Sequence, residues 1–405
     1  MKKTITLLLT LFVTIPYTYA QTQAVNPEVK YRRSSLYTLM IHDESRPYAE
    51  VIRASFEKGP IPEKFNNHNL GNRVIPTSNA KDESQNITAF LADNNVARDI
   101  VAKWFNRSAK GGFNMDMIAE RGKYDANALD IAKAKASQRG LETLADAGEE
   151  LIKNTFILVN DYNYVSKEEV AKKASGWLNT IGSVASYAGL GDVSTTTTIT
   201  SAAVTVAGKG YVVKTTAHLY RLVWDEETAA IFYNDYWADD KTITPEKKKA
   251  FDESKIFKLE YIGSDTSWAD VQSTVFTKKT EEELIEKATV KAVDAVIVKL
   301  QKNHDEFKTK TPLFSGEPIS AKIGLKEGLT DKSKFDVLEQ VVNKEGKTEY
   351  VVVGTIKVDD KLPIWDNRYG ADEENPNSTE DRTYFKKVSG KDFYPGMLIV
   401  QKKGK

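Results

Sequence analysis

The chain has 405 residues, of which 57 are basic, 57 are acidic and none is cysteine. Without cysteine there are no disulfides and no thiolate metal sites, so stability has to come from core packing. The even charge balance argues against nucleic acid as a partner, because phosphate binding rests on a concentrated basic surface.

The first twenty residues, MKKTITLLLTLFVTIPYTYA, carry Lys2 and Lys3, an apolar run from Ile5 to Ile15, and a polar end closing on Thr18-Tyr19-Ala20. This is the pattern of a secretory signal peptide (1–20), with cleavage expected after Ala20. The run is too short for a permanent transmembrane helix, and no later run approaches the roughly 20 apolar residues that spanning needs. The expectation is an exported protein in the periplasm, associated with the outer membrane, or extracellular. No cysteine follows the signal to carry a lipid.

Residues 21–33 are polar and aperiodic and read as a flexible arm. A strand is expected from Ser34 to Ile41, followed by a long stretch punctuated by Pro60, Pro62, Gly71 and Pro76. In Asn94 to Asn106 the residues Ala97, Ile100, Val101, Trp104 and Phe105 recur at helical spacing. A second helix, from about Ala126 to Lys153, runs into TFILVND (Thr155 to Asp161), which reads as a buried strand. Helix followed by buried strand is the unit of a layered α/β structure.

Ser166 with Glu169 forms a capping box and predicts a helix carrying Val170, Ala174, Trp177 and Leu178 inward. Residues 182–210 are rich in Gly, Ser, Thr and Ala. They are expected to form a long hairpin or loop, flexible or in contact with a second copy in a homo-oligomer; their polar residues do not alternate as a membrane strand requires. Tyr211 to Trp224 alternates as a long strand, with Val213, Thr215, Ala217 and Leu219 on one face. Thr280 and Glu283 form another capping box, opening a helix to about Asn303 whose apolar stripe is Leu284, Ile285, Ala288, Ala292, Val296 and Leu300. Beyond Pro312 the chain turns to short strands with glycines at their ends, PISAKIGL, FDVLEQVV, TEYVVVGTIKV and YPGMLIVQ, which indicate a small barrel. The expected fold class is α+β: an α/β domain over 34–311 with helices packed on a mixed sheet, then an all-β barrel domain over 312–405.

AKIGLKEGLTDKSKFDVLEQ followed by VVVGTIKV resembles the small β-barrel of the flagellar assembly protein T family. Gly324, Gly328, Phe335, Val337, Gly354, Ile356 and Val358 carry the likeness, while Lys332 or Ser333 stands where that family has a glycine. SQRGLETLADAGEELIKNTFILVND resembles the α/β fold of the curli-secretion lipoprotein family. The whole chain looks like exported envelope proteins of the Bacteroidota. These resemblances imply an assembly or scaffold role and bring no catalytic residues with them.

Candidate chemistry is sparse. The four histidines, His42, His68, His218 and His304, show no paired metal-ligand spacing. His42 and His68 are expected as polar loop residues, with a site shared between them as the rival reading. Ser55-Phe56-Glu57-Lys58 spells SxxK, but Gly59-Pro60 follows at once and no KTG triplet exists, so the match reads as chance. The aromatics Trp224, Tyr233, Tyr236 and Trp237 are expected either as core or interface residues or as an exposed shelf for carbohydrate or peptide. In WDNRYGADEENPNSTEDRTYF the acids Asp372, Glu373, Glu374, Glu380 and Asp381 are expected in a solvated loop. A proline falls where a calcium loop needs a ligand. Trp365, Asp366, Arg368 and Tyr369, with Tyr384 and Phe385 opposite, are expected to pack the barrel end and offer a contact surface.

Taken together the residues predict a non-enzymatic envelope protein that binds other envelope proteins, with no catalytic, metal or cofactor site assigned. The alternatives are a glycan or peptide binder using the aromatic surface and, after it, a hydrolase with paired carboxylates.

Overall fold

A computed structural model describes residues 34–77, 83–125, 151–166, 210–272, 280–342 and 348–402. The signal peptide and arm, the helix expected after Ser166, the body of the helix expected from Ala126 and nearly all of the 182–210 segment lie outside the described residues, while Ser166 itself ends the strand Thr155–Ser166. Of the expected Ala126 to Lys153 helix, the end is described, and Ile152–Asn154 form a 3-10 turn.

The first part consists of β1 (Ser35–His42), α1 (Ala49–Lys58), β2 (Asn66–Asn67), β3 (Val74–Pro76), α2 (Glu83–Asp93), α3 (Val96–Trp104), α4 (Asp116–Asp125), β4 (Thr155–Ser166), β5 (Gly210–Leu222), α5 (Glu226–Ile231), α6 (Pro245–Asp252), β6 (Leu259–Gln272) and α7 (Glu281–Asn303). Its six strands form one mixed sheet. β1 pairs in parallel with β4 on one side and with the short β2 and β3 on the other, and β5 and β6 extend the sheet antiparallel. Every residue of β1 is buried, since both sheet faces are covered. One face carries Tyr37, Leu39, Ile157, Val159 and Leu222 toward α3 and the aromatic residues around Phe232. The other carries Leu36, Phe156, Leu158, Val213, Ala217 and Leu219 toward α1 and α7.

The second part is a closed antiparallel barrel of β7 (Thr311–Gly316), β8 (Ile319–Ala321), β9 (Lys334–Val342), β10 (Thr348–Val358), β11 (Thr383–Gly390) and β12 (Leu398–Gln401). α8 (Ala371–Glu374) is a single turn between β10 and β11. Alternating residues fill the interior, among them Leu313, Phe335, Val337, Ile356, Val358, Phe385 and Ile399. The fold is therefore α+β. Among the described residues no helix is long and apolar enough to cross a membrane.

Helix α7 joins the two parts. The expected capping box forms at its start: Glu283 N donates to Thr280 Oγ1 at 3.2 Å, and Thr280 N donates to Glu283 Oε2 at 2.7 Å. All six residues of the expected stripe are buried toward the sheet, and so is Ile297. Val290 and Val298 are also buried, on a second stripe with Asp294 between them at helical spacing. This stripe meets the 3-10 turn Leu325–Glu327 that links β8 to β9. Gly328, at φ +70°, ends that turn so close to α7 that an added Cβ would lie 2.6 Å from Val298 Cγ1. Left-handed backbone and close approach both demand glycine there.

Gly328→Ala should therefore lower stability by roughly 1–2 kcal/mol in urea unfolding. Val298→Ala introduced alongside should recover part of that loss. Strictly additive losses would show that turn and helix do not press on one another.

Candidate functional site

The aromatic residues gather as one cluster. Asp225 caps α5 by accepting from Thr228 N at 2.8 Å, and the helix continues into a π turn, Phe232–Tyr236. This brings Trp224, Phe232, Tyr233 and Trp237 around Phe105, with ring centroids 5.6, 4.3, 5.8 and 5.7 Å away. Trp237 also stacks on Phe113 at 5.9 Å, and Tyr236 meets Phe251 edge-on at 5.9 Å. Trp224, Tyr233, Tyr236 and Trp237 are half-buried, packed against the core of the sheet. The geometry is that of core aromatics engaging one another edge to face, rather than a flat open platform.

Trp365, Asp366, Arg368 and Tyr369 lie together beside the barrel, all half-buried. Leu325 N donates to Trp365 O at 2.9 Å, and Trp365 N donates to Thr383 Oγ1 at 3.2 Å. Arg368 grips Asp366 through two bonds of 2.8 and 2.6 Å, which hold the Asp366 carboxyl below its usual range. Asn367 accepts from Lys326 N at 2.9 Å and donates to Glu327 Oε2 at 2.8 Å, so this loop braces the turn against α7. Phe385 points into the barrel, 5.5 Å from Phe335. In the acidic loop Asp372 and Asp381 are exposed, the latter bonded to its neighbour Arg382.

Where α1, β1, α7 and the barrel turn meet lies a cavity of about 40 Å³, lined by Phe56, Arg73, Thr289, Asp294, Lys326 and Tyr369 among others. Burial raises the Asp294 carboxyl to about 6, against the pull of Lys326, 3.8 Å away, and Lys64. Lys64, itself lowered by burial, donates to Gln301 of α7 at 2.8 Å. A second cavity of about 40 Å³ opens beside Gln301, Phe335 and Gln401. Small-molecule sites occupy about 300–1,000 Å³, and each of these two encloses room for about a water or two.

Ligands of α/β sheets bind beyond the carboxyl ends of parallel strands. There Arg46 bridges Asp161 and Asp43, the latter at 3.3 Å, and donates to Tyr162 O at 2.7 Å. Burial raises the Asp161 carboxyl and Arg46 opposes the rise. Close by, His218 Nε2 is 3.7 Å from Glu83 Oε2, and His218 Nδ1 is 3.4 Å from the Tyr261 hydroxyl. Apart from Asp43 and Arg46, which are three residues apart, these partners are far apart in sequence, and no local pattern announced them.

The histidines correct one expectation. His42 is not in a loop but ends β1, buried and 3.2 Å from Glu50, and His68, though it lies in the loop after β2, is fully enclosed. His68 Nε2 donates to Ile100 O at 3.1 Å, and its Nδ1 accepts from Arg121 at 3.0 Å. Burial and the Arg121 cation hold its pKa well below the usual value, so the ring is neutral. Different neighbours hold His42 and His68, and among the described residues no group of three or more His, Asp or Glu is arranged for a metal ion. Ser55 is buried in the last turn of α1, not at a helix start where an SxxK serine belongs. No family model and no curated protein sequence matches the chain.

Asp294 gives a pH test. Its folded pKa, about 6, lies above the ordinary 3.8, so the native state holds a proton that the unfolded chain releases. The stability it contributes is complete below pH 3.8 and is lost as pH rises through 6. Relative to Asp294→Asn, the wild type should lose up to about 3 kcal/mol across that window. Parallel stability profiles of the two proteins would contradict the burial of this charge.

Proposed function

We propose that the protein is a non-enzymatic, exported component of the cell envelope that serves in assembly or as a scaffold by binding other envelope proteins. The observation that carries this reading is the apolar surface left on the barrel. Val351 and Val352 of β10 and Val388 of β11 are 40%, 61% and 52% exposed and flank the Gly354–Gly390 pair on either side. Tyr394, 51% exposed, bonds Glu339 of β9, the partner of Val351. Val352 and Val388 stand on paired strands of the barrel wall, and exposed apolar residues gathered on one wall offer a surface for a partner. The leader-like first twenty residues support export, and the likeness to the flagellar assembly protein T barrel supports an assembly role. A carbohydrate platform is less favoured, because the rings it would need already pack on each other.

A photo-crosslinking residue at position 352, in cells of the native host, should give a discrete protein adduct. The same residue at position 249, an exposed site on α6, should not. Val352→Glu with Val388→Glu should remove the adduct formed by a crosslinker at position 351, leaving the Tm within a few degrees. Identical adducts from both sites, or none from position 352, would count against a binding role for the barrel wall.

A further inference from the structure

The sheet face beneath α7 carries polar atoms that no protein group satisfies. Thr215 Oγ1 on β5, Ser267 Oγ on β6 and Asn160 Oδ1 on β4 are buried without a hydrogen-bond partner. Thr215 and Asn160 are fully enclosed, and Ser267 is 3% exposed. Thr215 and Ser267 are direct register partners, so their Cβ atoms stand about 4.5–5.5 Å apart on one face. Tyr162 flanks Thr215 from β4, and its hydroxyl is unpartnered too.

The opposite face of the same strands shows the alternative. There Thr216 and Thr266 bond each other directly at 3.0 Å. Asn160 Nδ2 donates to Leu39 O at 3.1 Å, which fixes the amide and makes Oδ1 the atom left over. Across from these groups α7 presents Ala288 and Ala292, buried in the same cluster as Val213 and Tyr162. Small side chains facing hydroxyls leave room where larger ones would close down on the sheet.

Buried polar groups almost always find a partner, and a buried water needs two to four of them. We propose that the sheet face beneath α7 holds an internal water site, with Thr215 Oγ1 and Ser267 Oγ as its ligands and the Tyr162 hydroxyl at its edge. The water donates to one hydroxyl and accepts from the other. With hydroxyls for ligands and no carboxylate among them, the site suits water rather than a divalent cation.

A crystal structure of the full chain that resolves ordered solvent should show a water within hydrogen-bond distance of both hydroxyls. Thr215→Val should lower the Tm by displacing it, and Ser267→Ala added to that variant should cost less than it does alone, since the two share one ligand. Dry contact between the hydroxyls in the wild type would overturn the site. So would single variants that leave the Tm unchanged or raise it, with additive effects. If a variant fails to fold, the wild-type density decides by itself.

Discussion

Helix α7 is buried on two opposite sides, and where the sheet and the barrel stand follows from that. Ten of its 23 residues are buried. Each fully buried Val, Leu or Ile contributes about 1.5–3 kcal/mol of hydrophobic stabilisation, set against the entropy of ordering the chain. One stripe closes the sheet face that holds Phe156, Leu158 and Leu219. The other receives the barrel turn at Val298, where Gly328 permits contact no other residue would. A helix used this way cannot spare either face, and the polar groups trapped beside it have to be satisfied in place.

Those trapped groups lend the seam its character. Asp294 sits between Val290 and Val298 with Lys326 and Lys64 as its nearest counter-charges. A buried acid of this kind weakens the fold when ionised, so its presence is poor evidence for stability and better evidence for a fixed mutual position of helix and turn. The loop of Trp365 and Asn367 locks the same turn through three hydrogen bonds to or from residues 325, 326 and 327, and a fourth anchors it to Thr383 of β11. A rigid two-part frame presenting apolar barrel residues is what a scaffold role requires, and the proposed function rests on that surface.

Much of this was legible in the residues. The Thr280–Glu283 box and the stripe of α7 follow from local spacing, and the barrel strands follow from short alternating runs between glycines. The second face of α7 was not, because Asp294 interrupts the two valines that mark it and the partner turn lies about thirty residues on. The burial of His68 was hidden for the same reason: its partners Ile100 and Arg121 are 32 and 53 residues away. The run from Trp224 to Trp237 declared itself as aromatic, but Phe105 and Phe113, which decide that the rings face inward, belong to a distant segment.

If α7 makes sheet and barrel one cooperative structure, differential scanning calorimetry of the full chain gives a single transition whose calorimetric and van't Hoff enthalpies agree. Two resolved transitions, with the barrel and the sheet melting independently, would contradict it.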